Sequence, residues 1–412
     1  MNPPLPRARP FYGWIVVASA FVVLFLAYGL QFSYGVFVTG MAAELDWSRA
    51  DTALPYSVYV FAYSALSAAT GRATDRFGPR RVITCGALLL GLGWGSSALV
   101  SAPWQLVLSL GVVAALGMSV AWVPCNATVA RWFTRRRGTA VAIASSGASL
   151  GNFLVPPAAG LLMLAWGWRE ALAVIAIVSA LAMLIAARFM VRDPETLGLA
   201  PDGDAAPLDP ALETRVDATL ADIRHSADFL LLIALYFCSW LVVFMPFVHL
   251  PAHAGDLGYN PARAASLLAA IGLGGVAGRL SGGIVSDRIG RFPTLIVVFG
   301  LQAAAFVAFA GVTTLTPLWL AALVFGFSYG GGVTLLPPLC GDLFGRTHMA
   351  SIVGVIFAVA GAPAAFGPYA AGWLFDLTGG YGLAFLGAAA LNLAALGLTL
   401  VLAARTRVIT RV

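Results

Sequence analysis

Mostly apolar runs of about 20 or more residues recur along the chain, and they constrain its fold more than any other feature. A helix of that length spans the ~30 Å hydrocarbon core of a bilayer, where backbone polar groups must bond to one another. The runs lie near residues 12–38, 52–72, 80–100, 104–132, 138–163, 168–190, 228–254, 262–287, 292–311, 316–343, 349–376 and 381–404. They predict an all-α membrane protein with twelve transmembrane helices.

Composition supports this class and excludes others. Hydrophobic residues make up 60% and charged residues 10% of the 412 residues, too apolar a mixture for a water-soluble globule. The formal net charge of +6 is spread over the loops between spans, so it does not indicate a nucleic-acid-binding surface. The basic residues are all arginine, which excludes Schiff-base lysine chemistry. The four cysteines stand singly in apolar spans, without the spacing of a metal or disulfide framework.

The order of the spans divides the chain into three parts. We predict a six-helix bundle over 1–190, a cytoplasmic polar linker over 191–227 and a second six-helix bundle over 228–412. Arginines concentrate on one side of this arrangement, whereas the opposite side has only Arg49, Arg169 and Arg263. By the positive-inside rule, both termini and the linker are expected in the cytoplasm, with the protein in the inner (plasma) membrane.

The two halves also share a motif. The pattern G-x-x-x-D-R-x-G occurs over 71–78, after the second span, and again over 283–290, after the eighth, at an offset of 212 residues. Its glycines let helix ends approach closely, and its Asp and Arg side chains can bind neighbouring helix termini. We therefore predict gating or structural roles for Asp75, Arg76, Asp287 and Arg288.

Arg279 is the only charged residue well inside a predicted span. A charge at membrane depth costs ~3 to ~15 kcal/mol, and such residues commonly line a cavity or a substrate path. Its mate in the repeat is Ser67, so the charge belongs to one half only, as expected for a ligand contact. The alternatives are an arginine that pairs with backbone carbonyls or one that snorkels to the interface. We predict that Arg279 binds the substrate.

Four polar residues lie at depths from which they could complete such a site, namely Tyr28, Asn126, Asn152 and Tyr329. Ring packing for the tyrosines and hydrogen bonding between helices for the asparagines are the structural alternatives.

His249 and His253 have the spacing of a metal pair, but no carboxylate or cysteine lies between or directly beside them, and Pro251 interrupts the helix. We therefore predict no metal site and no cofactor. His249 and Asp256 are instead candidates for accepting a proton at the outer mouth of the cavity.

The paired motifs and the six-plus-six order of spans resemble the major facilitator superfamily over the whole chain. The resemblance implies two six-helix bundles that give alternating access to a central site. Three features resemble the monocarboxylate transporters and their bacterial oxalate/formate antiporter relatives: Tyr12-Gly13-Trp14 at the first span, the arginine-rich stretch 131–138, and the position of Arg279. In those families an arginine at this position binds a carboxylate.

The chain departs from those families at three positions. Animal monocarboxylate transporters have an Asp where this chain has Gly275 and a Lys where it has Phe32. The oxalate carrier has a second cation besides the arginine, a Lys in the eleventh helix, where this chain has apolar residues around Ala360. With one cation, a dicarboxylate would leave one anionic group unpaired in a low-dielectric site. One-carboxylate substrates are therefore expected.

Together these features predict a secondary active transporter of small monocarboxylates such as lactate or pyruvate, functional as a monomer. The resemblance favours proton symport, and an anion exchanger is the alternative because the acid beside Arg279 is missing. An efflux facilitator is the rival within transporters, although drug carriers for cations usually embed a carboxylate and these spans have none well inside them. An intramembrane enzyme or a receptor would need a catalytic pair or a ligand domain that this sequence does not show.

Overall fold

A computed structural model of the protein describes residues 11–47, 49–203, 218–259 and 261–409. Within these ranges the chain is helical and contains no strand, as predicted for an all-α protein. Its twelve long helices follow the predicted spans. They are α1 Gly13–Leu45, α2 Arg49–Phe77, α3 Pro79–Ser97, α4 Pro103–Trp132, α5 Arg137–Trp166, α6 Trp168–Ala187, α7 Ala227–Asp256, α8 Pro261–Ile289, α9 Arg291–Gly311, α10 Leu315–Phe344, α11 Met349–Thr378 and α12 Gly382–Ile409.

Ten helices of the described chain are long and apolar enough to cross a membrane, and α2 and α3 fall outside that group. Both are richer in polar residues: α2 ends with Arg72, Asp75 and Arg76, and α3 begins with Arg80 and Arg81. These charges belong to the shared motif and the turn that follows it.

Three helices are broken where the sequence predicted continuous ones. In α4 the stretch Val107–Ala114 is π-helical, α7 is interrupted between Leu241 and Met245, and α11 is π-helical over Phe357–Gly361 and 3₁₀-helical over Ala362–Phe366. Proline explains two of these breaks, because Pro246 and Pro363 lack the N–H that a continuous helix needs. The breaks in α7 and α11 lie beside the central cavity described below.

Packing within each half sets the direction of the cavity-facing side chains. Helix α1 packs on α5 in the first bundle and α8 on α10 in the second, while α5–α8 and α2–α11 contacts join the bundles. A Cβ atom added at Gly274 or Gly278 would lie 2.1 or 1.8 Å from a backbone oxygen of α10. Small residues are therefore required on this face of α8. Each next residue, Gly275 or Arg279, points about 100° away, toward the space between the bundles.

Several loops meet at the end of the molecule that carries the linker, which we call the linker side. Here the Tyr12 hydroxyl donates to the Phe189 carbonyl (3.2 Å), and Arg346 pairs with Glu195 (3.1 Å). The linker contains the short helical turns Pro194–Leu197, Pro201–Gly203 and Leu220–Ile223. Residues 1–10, 204–217 and 410–412 of the predicted bundles and linker lie outside the described residues, as does the Arg49 side chain.

Candidate functional site

Arg279 is buried between the two bundles, with 5% of its surface exposed. Its guanidinium carbon lies 5.3 Å from the ring centre of Trp122 and 5.7 Å from that of Tyr329, within the range of cation–π attraction. Its Nε and Nη1 atoms have no hydrogen-bond partner among the described residues. A structural arginine would have used these donors on backbone carbonyls, so this arrangement favours a ligand contact.

Two adjoining cavities meet at this arginine. Five residues line both of them: Tyr28, Phe32, Phe244, Arg279 and Tyr329. The walls come from α1, α2, α4 and α5 of the first bundle and from α7, α8, α10 and α11 of the second. Arg279 is the one charged side chain among the described lining residues, so an anion entering here has a single cationic partner.

The structure brings three of the four predicted polar residues to these cavities. Tyr28 and Tyr329 line both, and Asn152 lines the second. It does not bring Asn126 there. That side chain is fully buried, and its Nδ2 donates to the Trp122 carbonyl one turn earlier in α4 (2.9 Å). The prediction for Asn126 rested on depth alone, and the rotation of the helix turns it away.

The two candidate proton acceptors also lie apart from Arg279. The ring nitrogens of His249 lie 3.2 Å from the Tyr381 hydroxyl and 2.8 Å from the Pro368 carbonyl, so the ring ties α7 to α11 and α12. Asp256 is exposed at the end of α7. Neither is among the described residues that line the cavities.

Among the lining residues that sequence reasoning missed are Gln31 and Trp122. Gln31 is the amide near the middle of the first span, and its polarity at that depth was the available signal. Trp122 begins the last helical segment of α4, after a turn at residues 119–121. No pattern in the sequence indicates that its ring lies beside Arg279.

The structure shows where the three positions lie at which the chain departs from the families that it resembles. Phe32 and Gly275 both line a cavity, and a Cβ atom at Gly275 would meet its nearest neighbour, the Gly326 oxygen, at 3.7 Å. A side chain therefore fits there. The expectation that Ala360 occupies the position of the oxalate carrier's Lys is wrong. Ala360 is fully buried and does not line the cavity, whereas Phe357, Gly361 and Ala364 do. The π-helical turn over Phe357–Gly361 shifts the cavity-facing positions of α11.

The shared motif closes the linker side through two carboxylates, each of which binds a helix start in the opposite half. Asp287 accepts hydrogen bonds from Gly138 N (2.9 Å), Thr139 N (2.7 Å) and Thr139 Oγ1 (2.7 Å) at the start of α5. Asp75 accepts from Ser351 N (2.7 Å) and Ser351 Oγ at the start of α11. We call Asp75 and Asp287 the crossed carboxylates. Because Thr139 and Ser351 are themselves repeat mates, the two contacts are symmetric.

The arginines that pair with the crossed carboxylates are not those of the motif. Arg131 binds Asp75, and Arg291 binds Asp287 and also Asp342, the latter at 2.9 Å. Arg76 and Arg288 are exposed, and the structure does not bring them into these contacts. The predicted gating role is thus supported for the two carboxylates only.

The first glycine of each motif allows the bundles to touch. A Cβ atom at Gly71 would lie 2.2 Å from the Ala350 oxygen, and one at Gly283 would lie 2.4 Å from the Gly138 oxygen. Any side chain at either position would push the opposite bundle away from the linker side.

Comparisons with known proteins agree with this geometry. The family model described as Major Facilitator Superfamily matches residues 20–368. Among solved structures, a proton:xylose symporter, XylE, superposes with a TM-score of 0.73 at 15% identity and covers 93% of this chain and 94% of its own. The human organic anion transporter MFSD10 superposes with a TM-score of 0.70 at 17% identity and covers 97% and 100%. These likenesses confirm the predicted twelve-helix, two-bundle fold.

Sequence relatives are more specific. Human monocarboxylate transporter 11 is 30% identical over 394 residues, covering 93% of this chain and 82% of the relative. Cattle monocarboxylate transporter 13 is 29% identical over 409 residues, covering 96% and 91%. The chain is therefore a multi-pass membrane transporter, not an enzyme, and belongs to the monocarboxylate transporter family of the major facilitator superfamily.

Proposed function

We propose that this transporter carries small monocarboxylates such as lactate or pyruvate. The observation that supports this most is the buried Arg279, which has two unpartnered donors and is the one charged side chain among the described lining residues. A carboxylate can accept both donors of a planar guanidinium at once, which gives a strong and directional contact. The names of the sequence relatives point to the same class of substrate.

The proposed mechanism is alternating access across the inner (plasma) membrane by a single copy of the chain. The arginine-rich linker side is assigned to the cytoplasm by the positive-inside rule, with the termini on that side. The crossed carboxylates then close the cytoplasmic side in this conformation. Substrate binding would be followed by separation of the bundles on the linker side.

Proton symport is the proposed coupling, supported by the family resemblance, with His249 and Asp256 as the proposed proton acceptors. One observation favours exchange as a second candidate: no acid is among the described lining residues, so Arg279 has no internal partner when the carrier is empty. Moving an unpaired charge through a closed state costs several kcal/mol. An exchanger avoids that step because it always returns with an anion.

Proteoliposomes distinguish the two couplings. Under an inward proton gradient and without internal anion, symport predicts concentrative uptake of labelled lactate. Uptake that requires internal lactate or formate would contradict symport and establish exchange.

Because a side chain fits at Gly275, we also expect Gly275→Asp to neutralise Arg279 in the empty carrier and to raise uptake into anion-free vesicles by about tenfold. Gly272→Asp is the matched control, since it lines the same cavity one turn further from Arg279.

Dicarboxylates should bind poorly to the native cavity. Oxalate carries a second carboxylate for which the described lining residues offer no cation, so we expect it to compete weakly with labelled lactate. Ala364→Lys should raise the apparent affinity for oxalate by about tenfold, because Ala364 lines the cavity. Ala360→Lys should not, since that position lies outside the lining. Strong inhibition of the native protein by oxalate would contradict the single-cation view.

A further inference from the structure

Gln31 places an unpartnered hydrogen-bond acceptor in the cavity wall. The residue is 3% exposed, and its Nε2 donates to the Tyr63 hydroxyl at 3.4 Å, which leaves Oε1 directed away from that bond. Oε1 is buried and has no hydrogen-bond partner among the described residues. A buried carbonyl without a partner is costly, and Gln31 differs from the other buried amides in lining the cavity, where a ligand could supply the missing bond.

The same cavity also holds unpartnered donors. They are Nε and Nη1 of Arg279 and Nε1 of Trp122, all buried. The rest of the lining is mainly aromatic, with Phe32, Trp240, Phe244 and Phe357 among its members. The lining residues therefore offer unpartnered donors on Arg279 and Trp122 and one unpartnered acceptor on Gln31. The hydroxyl groups of the lining serine and tyrosines and apolar walls complete the cavity. A matching ligand offers two acceptor oxygens, one donor group and a small apolar remainder.

We propose that Gln31 determines specificity by accepting a hydrogen bond from the hydroxyl group on C2 of the substrate. The transporter then prefers 2-hydroxymonocarboxylates over 2-oxo and unsubstituted monocarboxylates. This inference rests on the proposed binding of a monocarboxylate by Arg279 and assigns the group beside the carboxylate. Gln31 lies on α1 and Arg279 on α8, so such a substrate bridges the two bundles.

Other groups on C2 fit the cavity less well. A 2-oxo group presents an acceptor to the Gln31 acceptor, and an unsubstituted acid leaves Oε1 buried and unpaired. A 2-ammonium group would bring a second cation near Arg279, and no acid is among the described lining residues to balance it. A site built to bond a substrate hydroxyl rejects analogues that lack it more strongly than an apolar pocket does.

Competition among three-carbon acids tests the proposal. Uptake of labelled propionate into proteoliposomes would be measured against unlabelled lactate, pyruvate and propionate. For the native protein we expect lactate to compete about tenfold better than either other acid. Gln31→Met keeps the length of the side chain and removes the acceptor. It should remove the advantage of lactate, so that lactate and propionate compete equally well.

Gln302→Met is the matched control. Gln302 is also a buried glutamine, 2% exposed, but it lies on α9 and is not a lining residue, so lactate should keep its advantage in this variant. Equal competition by the three acids in the native protein, or an unchanged lactate preference in folded Gln31→Met, would overturn the role of Gln31. If Gln31→Met does not fold, the native ranking decides alone, because a pyruvate or propionate preference excludes a hydroxyl-reading acceptor. Absence of propionate and lactate uptake by the native protein would instead refute monocarboxylate transport itself.

Discussion

Replacing Arg279 by alanine should reduce monocarboxylate uptake by about 100-fold or more while leaving the amount of folded protein unchanged. Truncating one partner of a buried ion pair commonly costs several kcal/mol of binding free energy. Folding should not suffer, because the guanidinium Nε and Nη1 atoms have no partner among the described residues and their removal breaks no internal hydrogen bond. Arg279→Lys should also be strongly impaired, since an ammonium cannot reproduce the planar two-point contact.

Uptake of labelled lactate into proteoliposomes and thermal unfolding in detergent would measure both effects. Arg405→Ala is a suitable control: it removes an exposed arginine of α12 that pairs with Asp228 (2.9 Å), and neither residue is among the described lining residues. Uptake close to the native rate in Arg279→Ala would show that the substrate binds elsewhere.

Valine at Gly71 or Gly283 should hold the linker side open. The added Cβ would lie 2.2 or 2.4 Å from a backbone oxygen of the opposite bundle, and neither backbone can retreat without breaking the bonds to the crossed carboxylates. Overpacking of ~1–3 kcal/mol would shift the equilibrium between conformations by about 5- to 150-fold toward linker-side opening. Net transport should fall accordingly.

Distances between spin labels at positions 76 and 288 would report this shift, since both arginines are exposed on the linker side, one in each half. Gly397→Val is the matched control, because a Cβ atom on that residue of α12 has no atom within 4 Å outside its own helix. A native distance distribution in Gly283→Val would mean that the bundles do not seal at this point.

Much of this architecture was predictable because it depends on long, regular signals. Spans of apolar residues predicted the helices, and a motif repeated at 212 residues pointed to Asp75 and Asp287, which the structure places in contacts between the halves. The position of Arg279 beside a cavity was predictable for a different reason. A lone charge at membrane depth is costly, and such residues commonly line a cavity or a substrate path. Each of these signals survives an error of one or two residues in a helix boundary.

The orientation of single side chains was not predictable, because it depends on breaks that the sequence does not mark. Asn126 and Ala360 both lie at the right depth but point away from the cavity, on helices that contain π-helical stretches. One extra residue in a turn rotates everything after it by about 100°. Gln31 and Trp122 were missed for the complementary reason: their importance appears only when the unpartnered atoms around Arg279 are located.

We expect the crossed carboxylates to determine how readily the linker side opens and closes during turnover. Their bonds to the starts of α5 and α11 are polar throughout, so every group that loses a partner on separation can be hydrated at once. A hydrogen bond worth ~4–6 kcal/mol in an apolar medium is worth only ~1–3 kcal/mol when water replaces the partner. Water that enters the opened contact replaces the lost hydrogen bonds, so the free-energy cost of opening stays small. The closed state is still specific in geometry, and a small cost of opening is what a repeating transport cycle requires. An apolar plug of similar extent would resist wetting each time it opened.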